Sequence, residues 1–218
     1  MGTCYVLGAM YAGEWQRILR DRQRDDLILC ADGGLDAAIR YGIKPDYVIG
    51  DFDSMPASHA QGYAHCTLPE HKDDTDMRAC FLEGERRGYR DFVFLGGTGG
   101  RLDHTLANIQ LLSECAQKGY RNCLSDDFNT MRVYAPGTYR IAGDETIYLS
   151  LIALSDRVEG ITLSGTEWEL HDAVLTNTYA LGCSNETRAE TVMLRFAKGL
   201  LGVLLCKRIQ GRTDGSMA

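Results

Sequence analysis

The chain has 218 residues, 44% hydrophobic, 24% charged and 9% aromatic, which is enough apolar material for one large domain or two small ones and ordinary for a globular protein. A formal net charge of −7 with no long basic run excludes the positive face that nucleic-acid binding needs. No apolar stretch approaches the roughly 20 residues that span a bilayer, and MGTCYVLGAMYAGEW reads as a first strand and turn instead of a signal peptide, so no membrane association and a cytoplasmic location are expected.

Along the first half, strand and helix signals alternate. YVLGAMY is a short apolar run meeting Gly13, and Glu14 to Asp21 reads as a helix. LILCAD is a buried strand ending at Asp32, followed by the tight Gly33–Gly34 connection and a short helix, LDAAIRYG, stopped by Gly42 and Pro45. YVIG is a strand that runs into DFDS, and HCTLPE is a weaker strand. Thr75 caps a helix reaching Gly88, with Met77, Cys80 and Phe81 at helical spacing. DFVFLGG is a strand, and a long helix follows from about Arg101 to Lys118 with Leu102, Leu106, Ile109 and Ala116 on one face. This alternation predicts a parallel sheet covered by helices.

Near Asn122 the pattern changes. NTMRVYAPG, TYRIAG, TIYLSLIAL, GITLSG, AVLTNTY, TVMLRFA and LLGVLLCKR are short β-branched and aromatic segments punctuated by Gly, Asn and Asp. The expected fold is α/β: an N-terminal parallel-sheet α/β catalytic domain over residues 1–122, followed by a C-terminal antiparallel β-sandwich domain over 123–218. None of the eight cysteines (Cys4, Cys30, Cys66, Cys80, Cys115, Cys123, Cys183 and Cys206) stands in a CxxC pair. Reduced core thiols are expected, not zinc ligands.

Four segments carry chemistry: ADGG (Ala31–Gly34), GDFDS (Gly50–Ser54), KDDTD (Lys72–Asp76) and GGTGGRLDH (Gly96–His104). The acidic residues Asp32, Asp36, Asp46, Asp51, Asp53, Asp73, Asp74, Asp76 and Asp103 fall at strand ends and beside glycines, where a solvated face gives no reason for them. Ligands of an open parallel sheet bind outside the carboxyl ends of its strands. Asp32, Asp51, Asp53 and the loop from Gly96 each follow a strand and should meet on one edge. Paired carboxylates without nearby His or Cys suit Mg²⁺, which takes carboxylates together with substrate phosphates. Gly96, Gly97 and Gly100 let backbone N–H groups approach an anion at a helix N-terminus, and Arg101 adds a guanidinium for phosphate oxygens. The loop is neither a Walker A sequence nor a dinucleotide fingerprint, which removes a Rossmann oxidoreductase. Arg101, His104 and Asn108 share a helical face by spacing, with capping or packing open for the last two.

In this order, DGG, GDFDS, the DxTD of KDDTD and GGxxGRxDH resemble the thiamine pyrophosphokinase (thiamine diphosphokinase) family, from about Gly8 to the end of the chain. SGTEWEL stands where the family has a GLKYPL-like turn, and GCSNE (Gly182–Glu186) where bacterial members have GxSNE. The resemblance implies an α/β domain followed by a β-rich thiamine-binding domain, ATP as co-substrate, and a homodimer that binds thiamine where subunits meet. It implies that Asp51, Asp53, Asp76 and Asp103 surround Mg²⁺ and the pyrophosphate, with Arg101 among the catalytic residues. The same resemblance implies that Thr75 and Arg101 contact phosphate oxygens and that Asp32, with Gly33 beside it, supports the nucleotide or metal site. By the resemblance, Ser184 and Asn185 are expected near thiamine, contributed by the partner subunit. Thiamine's primary alcohol attacks the β-phosphorus of ATP and expels AMP, mainly by positioning and charge neutralisation, and the sequence does not select which carboxylate takes the proton. Trp168 falls at the aromatic of the GLKYPL-like turn but precedes Glu169 instead of proline, and reads as core packing. Lys72 stands where some members carry glutamine. Two other readings compete: an Mg²⁺-dependent nucleotide or diphosphate hydrolase with water as nucleophile, and a non-enzymatic thiamine or nucleotide sensor, which would need a defective acidic constellation.

Overall fold

Apolar runs of four or five residues between turn formers become the strands of a parallel sheet, and the amphipathic segments between them become its helices. In the computed structural model, which describes residues 2–10, 14–50, 62–67 and 74–208, the chain forms two compact units, Met1–Val133 and Tyr134–Ala218. The first unit contains β1 (Cys4–Leu7), α1 (Glu14–Arg20), β2 (Leu27–Ala31), α2 (Gly34–Arg40), β3 (Tyr47–Gly50), β4 (His65–Thr67), α3 (Asp76–Arg86), β5 (Asp91–Leu95), α4 (Leu102–Gln117), β6 (Arg121–Ser125) and β7 (Asn129–Tyr134). Its strand order is β7-β6-β5-β1-β2-β3-β4. Strands β1 to β6 run parallel, and only β7 turns back along β6.

Helices cover both faces of this sheet. Every residue of β2 is buried, as a central parallel strand requires. On one face Leu7, Ile28, Cys30, Val48 and Leu95 pack with Trp15 of α1 and Leu35, Ala37 and Ala38 of α2. On the other, Phe81 of α3 meets Phe92 of β5 edge-on with ring centroids 4.9 Å apart. Thr75 caps α3 as expected, its hydroxyl oxygen accepting from the Arg78 N–H at 3.3 Å. Five cysteines (Cys4, Cys30, Cys80, Cys115 and Cys123) are core thiols, whereas Cys66 and Cys183 are exposed. Burial pushes the Cys115 thiol up to about 12.

Two sequence expectations change here. The apolar face of α4 is not the one that its first turns display. Leu102 and Leu106 are 72% and 53% exposed, and the buried line is Asn108, Leu111, Leu112, Cys115 and Ala116. The helix packs on β6 through its later turns, so apolar spacing near its start does not report burial. The 122/123 boundary stands inside β6, a strand that the polar RNCLS segment does not announce. Asn122 is buried there, its Nδ2 donating to the Val133 carbonyl at 2.9 Å and its Oδ1 accepting from the Val133 N–H at 2.8 Å. Parallel pairing to β5 keeps β6 in the first unit.

The second unit is all β: β8 (Gly137–Ala142), β9 (Ile147–Ala153), β10 (Arg157–Ser164), β11 (Leu170–Thr176), β12 (Asn185–Glu186), β13 (Thr191–Phe196) and β14 (Leu201–Lys207). Its strands pair antiparallel in the orders β11-β10-β13-β8 and β12-β9-β14. Alternating side chains (Ile141, Ile161, Leu163, Val192, Leu194 and Phe196 against Leu149, Leu151, Leu201 and Val203) form one core between the two layers.

Candidate active site

The strand order reverses direction beside β1: the chain proceeds outward through β2, β3 and β4, then returns to place β5 on the other side of β1. Such a switch point opens a crevice at the carboxyl ends of the strands. Gly8 follows β1 and Gly96 follows β5. The Gly8 N–H donates to the Leu95 carbonyl at 2.7 Å and the Met10 N–H to the Gly96 carbonyl at 3.2 Å. Gly96 holds φ +70, and a Cβ there would strike the Met10 carbonyl oxygen and the Trp15 ring, so only glycine fits. The start of α3 reaches this point as well, since a Cβ on Gly8 would stand 3.1 Å from Met77 Sδ. Thr75 and Asp76 begin that helix, and the Thr75 hydroxyl retains its proton for donation while its oxygen caps.

On the other side of β1, Asp32 follows β2 with φ 39, its N–H donating to the Ile49 carbonyl at 2.8 Å. A Cβ on Gly50 would lie 2.8 Å from the Asp32 carboxylate, so the last residue of β3 must be glycine for Asp32 to sit against it. Gly33 follows as the residue before α2. Asp51, Asp53, Ser54, Lys72 and Asp73 lie outside the described residues. Asp46, grouped with these acids by sequence, is elsewhere. Its carboxylate accepts from the Ile28 N–H at 2.8 Å and from Arg22 at 2.6 Å, at the start of β2.

Beyond Gly97, the glycine loop leads to Arg101 and Asp103, which pair with each other. Arg101 Nε donates to Asp103 Oδ1 at 3.1 Å and Nη2 to Oδ2 at 2.6 Å, and the His104 N–H adds a bond at 2.9 Å. The guanidinium beside Asp103 holds its carboxyl below the usual range. Both side chains are exposed, 72% and 63%. Solvent screens an exposed pair of this kind, so it leaves Arg101 available to an incoming polyphosphate. His104 remains exposed, whereas Asn108 is buried and donates to the Gly97 carbonyl at 2.8 Å, a packing role that settles the alternative left open by spacing.

In the second unit, Ser184 occupies the left-handed region at φ 59, its N–H donating to Ser150 Oγ at 2.9 Å. Asn185 is buried, and its carboxamide bonds both polar backbone groups of Trp168: Nδ2 donates to the Trp168 carbonyl at 2.7 Å and Oδ1 accepts from the Trp168 N–H at 3.1 Å, with further bonds from the Glu186 N–H to Oδ1 at 2.8 Å and from Nδ2 to Thr166 Oγ1 at 3.4 Å. Trp168 is therefore pinned by its backbone, with the residue 60% exposed. The expectation of core packing for Trp168 is corrected: the turn is held by side-chain bonds and not by burial of the indole.

Residues 21–124 match the family model described as thiamin pyrophosphokinase, catalytic domain, and residues 138–201 match that described as thiamin pyrophosphokinase, vitamin B1 binding domain. A curated thiamine pyrophosphokinase of Bacillus subtilis is 32% identical over 177 residues, covering 78% of this chain and 82% of its own. The chain belongs to the thiamine pyrophosphokinase family. Its activity is that of a thiamine diphosphokinase, and the hydrolase alternative has no support. Among solved structures, the Bacillus subtilis thiamine pyrophosphokinase superposes with TM-score 0.86 at 26% identity, covering 95% of this chain and 100% of that one. The Geobacillus thermodenitrificans thiamin pyrophosphokinase gives 0.84 at 26%, covering 95% and 99%.

Within this family member, three side chains are tied to positions distant in sequence, and two of them, Arg78 and Asp126, escape sequence reasoning. Arg78 pairs with Asp74 at 2.7 Å and Glu114 at 3.2 Å, joining the DDTD segment to α4. Asn108 holds Gly97. Asp126, just past β6, accepts from Thr98 of the glycine loop at 2.7 Å. Only the Asp74–Arg78 spacing of four residues signals a partnership in the sequence.

Proposed function

We propose that the chain transfers a pyrophosphoryl group from ATP to the hydroxyl of thiamine, yielding thiamine diphosphate and AMP, at the crevice between β1 and β5. One observation carries the placement: the loop after β5, the loop after β1 and the first turn of α3 converge on Gly8. Asp76 and Asp103 supply only carboxylate oxygens, which suits a hard cation, and Mg²⁺ held by them together with Asp51 and Asp53 would neutralise charge on the polyphosphate. Among the described residues no three such side chains cluster, so the set depends on Asp51 and Asp53. Arg101 exchanges Asp103 for phosphate oxygens, and Thr75 donates its hydroxyl proton to another. The Gly96, Gly97 and Gly100 peptides cradle the anion, and Asp32 with Gly33 flanks the nucleotide. Incubation with ATP, Mg²⁺ and thiamine should give AMP and thiamine diphosphate in equal amounts by mass spectrometry. ADP with thiamine monophosphate as main products would overturn the reading.

The proposed thiamine subsite is Ser184, Asn185 and the Trp168 ring that Asn185 presents, and the acidic chain attracts the cationic thiazolium. The active form is proposed to be a homodimer, with Ser184 and Asn185 supplied by the partner. Support comes from the family resemblance, and a light-scattering mass of a single 24.2 kDa chain at assay concentration would refute it. A cytoplasmic setting is favoured by the buried core thiols.

A further inference from the structure

The Gly96–Gly100 loop contains one side chain, that of Thr98. Upstream of it the backbone is tied, at Gly96 by Met10 and at Gly97 by Asn108. Downstream, Gly99 holds φ +85 with no described atom within 4 Å of where a Cβ would stand, and Gly99 and Gly100 are exposed. A run this rich in glycine loses much conformational freedom when it orders around an anion. Thr98 carries the loop's one side chain and so its side-chain tether before Arg101. Its hydroxyl donates to Asp126 Oδ2 at 2.7 Å.

Asp126 is built as a fixed acceptor. It follows Ser125, the partner of Leu95 in the β5–β6 register, so Asp126 and the glycine loop leave neighbouring strand ends. Its Oδ1 accepts from the N–H groups of Phe128 at 2.8 Å and Asn129 at 2.7 Å, while the Asn129 carboxamide lies 3.1 and 3.2 Å from its two oxygens. Its own N–H donates to the Asn129 carbonyl at 2.9 Å. Partial burial pulls the carboxyl upward, but the hydrogen bonds from Thr98, Phe128 and Asn129 outweigh it and hold it below the usual range. With its oxygens engaged by protein donors, Asp126 is suited to aim Thr98, not to bind substrate or metal itself.

We propose that Asp126 is a positioning residue for ATP, acting through the Thr98 hydroxyl to pre-order the Gly96–Gly100 loop. This rests on the reading of that loop as the phosphate-binding element. The anchored hydroxyl fixes the peptides on either side of Thr98 and so lowers the ordering cost that nucleotide binding must meet. A charged acceptor makes the tether stronger than a neutral one would.

The test is steady-state kinetics on the full chain with ATP and thiamine varied separately. Thr98→Val keeps the side-chain volume and removes the donor. It should raise KM for ATP roughly five- to tenfold, the loss of one charge-assisted hydrogen bond, with kcat within about threefold and KM for thiamine unchanged. Thr98→Ser should restore wild-type KM for ATP. In Asp126→Ala, adding Thr98→Val should change KM for ATP no further, because the two act through one bond. If Asp126→Ala does not fold, the two Thr98 variants decide the matter. An unchanged KM for ATP in Thr98→Val, an equal rise for thiamine, or Thr98→Ser as impaired as Thr98→Val would overturn the proposal. Arg101→Ala, measured alongside, separates the two levels. If it raises KM for ATP while Thr98→Val does not, the loop binds phosphate and only the Asp126 role falls. If neither moves KM for ATP, the phosphate-loop reading falls as well.

Discussion

Asp51→Asn and Asp53→Asn should each lower turnover roughly a hundredfold while the protein stays folded. Each exchange removes a ligand charge and leaves side-chain volume alone. Loss of one metal-bridged contact to a developing transition state is worth on the order of 3 kcal/mol, which corresponds to that factor. The expectation rests on placement of the flanking residue. Gly50, the residue before Asp51, ends β3 pressed against Asp32, a residue of the proposed site. The check is initial-rate measurement of AMP formation across an Mg²⁺ titration, with circular dichroism confirming the fold. Turnover near wild type in both variants at limiting Mg²⁺ would place the metal site elsewhere.

Trp168→Ala should raise KM for thiamine on the order of tenfold and leave KM for ATP unchanged, with Trp168→Phe recovering most of the loss. An indole face toward a cationic aromatic ring contributes about 1–2 kcal/mol through cation–π attraction and stacking. The structure motivates this by keeping a large aromatic side chain out of the core while fixing its backbone at both polar groups with Asn185. Asn185→Ala should show the same selective rise in KM for thiamine because it acts through Trp168, with some loss of stability from the unpaired groups that remain. A direct optical test exists because the chain has only two tryptophans, and Trp15 is fully buried. Thiamine should quench the exposed-tryptophan emission of the wild type and not that of Trp168→Phe. Equal quenching in both proteins would remove Trp168 from the subsite.

Sequence alone determined much of this protein, and it did so where the physics is local. A run such as LILCA can only be buried on both faces, Thr75 before an amphipathic segment caps it, and Gly42 with φ +68 stops α2. Alternation of such elements dictates a parallel sheet, and a parallel sheet gathers Asp32, Gly50 and the loop at Gly96 on one edge. The four motifs were therefore expected at one site, and their order carried the family. What tertiary structure decided is where side chains reach across sequence. Asn122 looks like the start of a polar connection but zips β7 to β6 through Val133, which moves the end of the first unit to Val133. Leu102 and Leu106 have the spacing of a core face yet stay exposed, because the buried surface of α4 is set by what packs beneath its later turns. Trp168 is a residue type of the core, yet it is exposed, with its backbone held by a carboxamide 17 positions away. Thr98 and Asp126, 28 positions apart, become partners only because parallel pairing brings the ends of β5 and β6 side by side. Propensity and periodicity act over a few residues, so they specify the elements. A hydrogen bond between strand ends exists only once the register is set, and for that reason the residues that aim this site were not legible until the sheet was assembled.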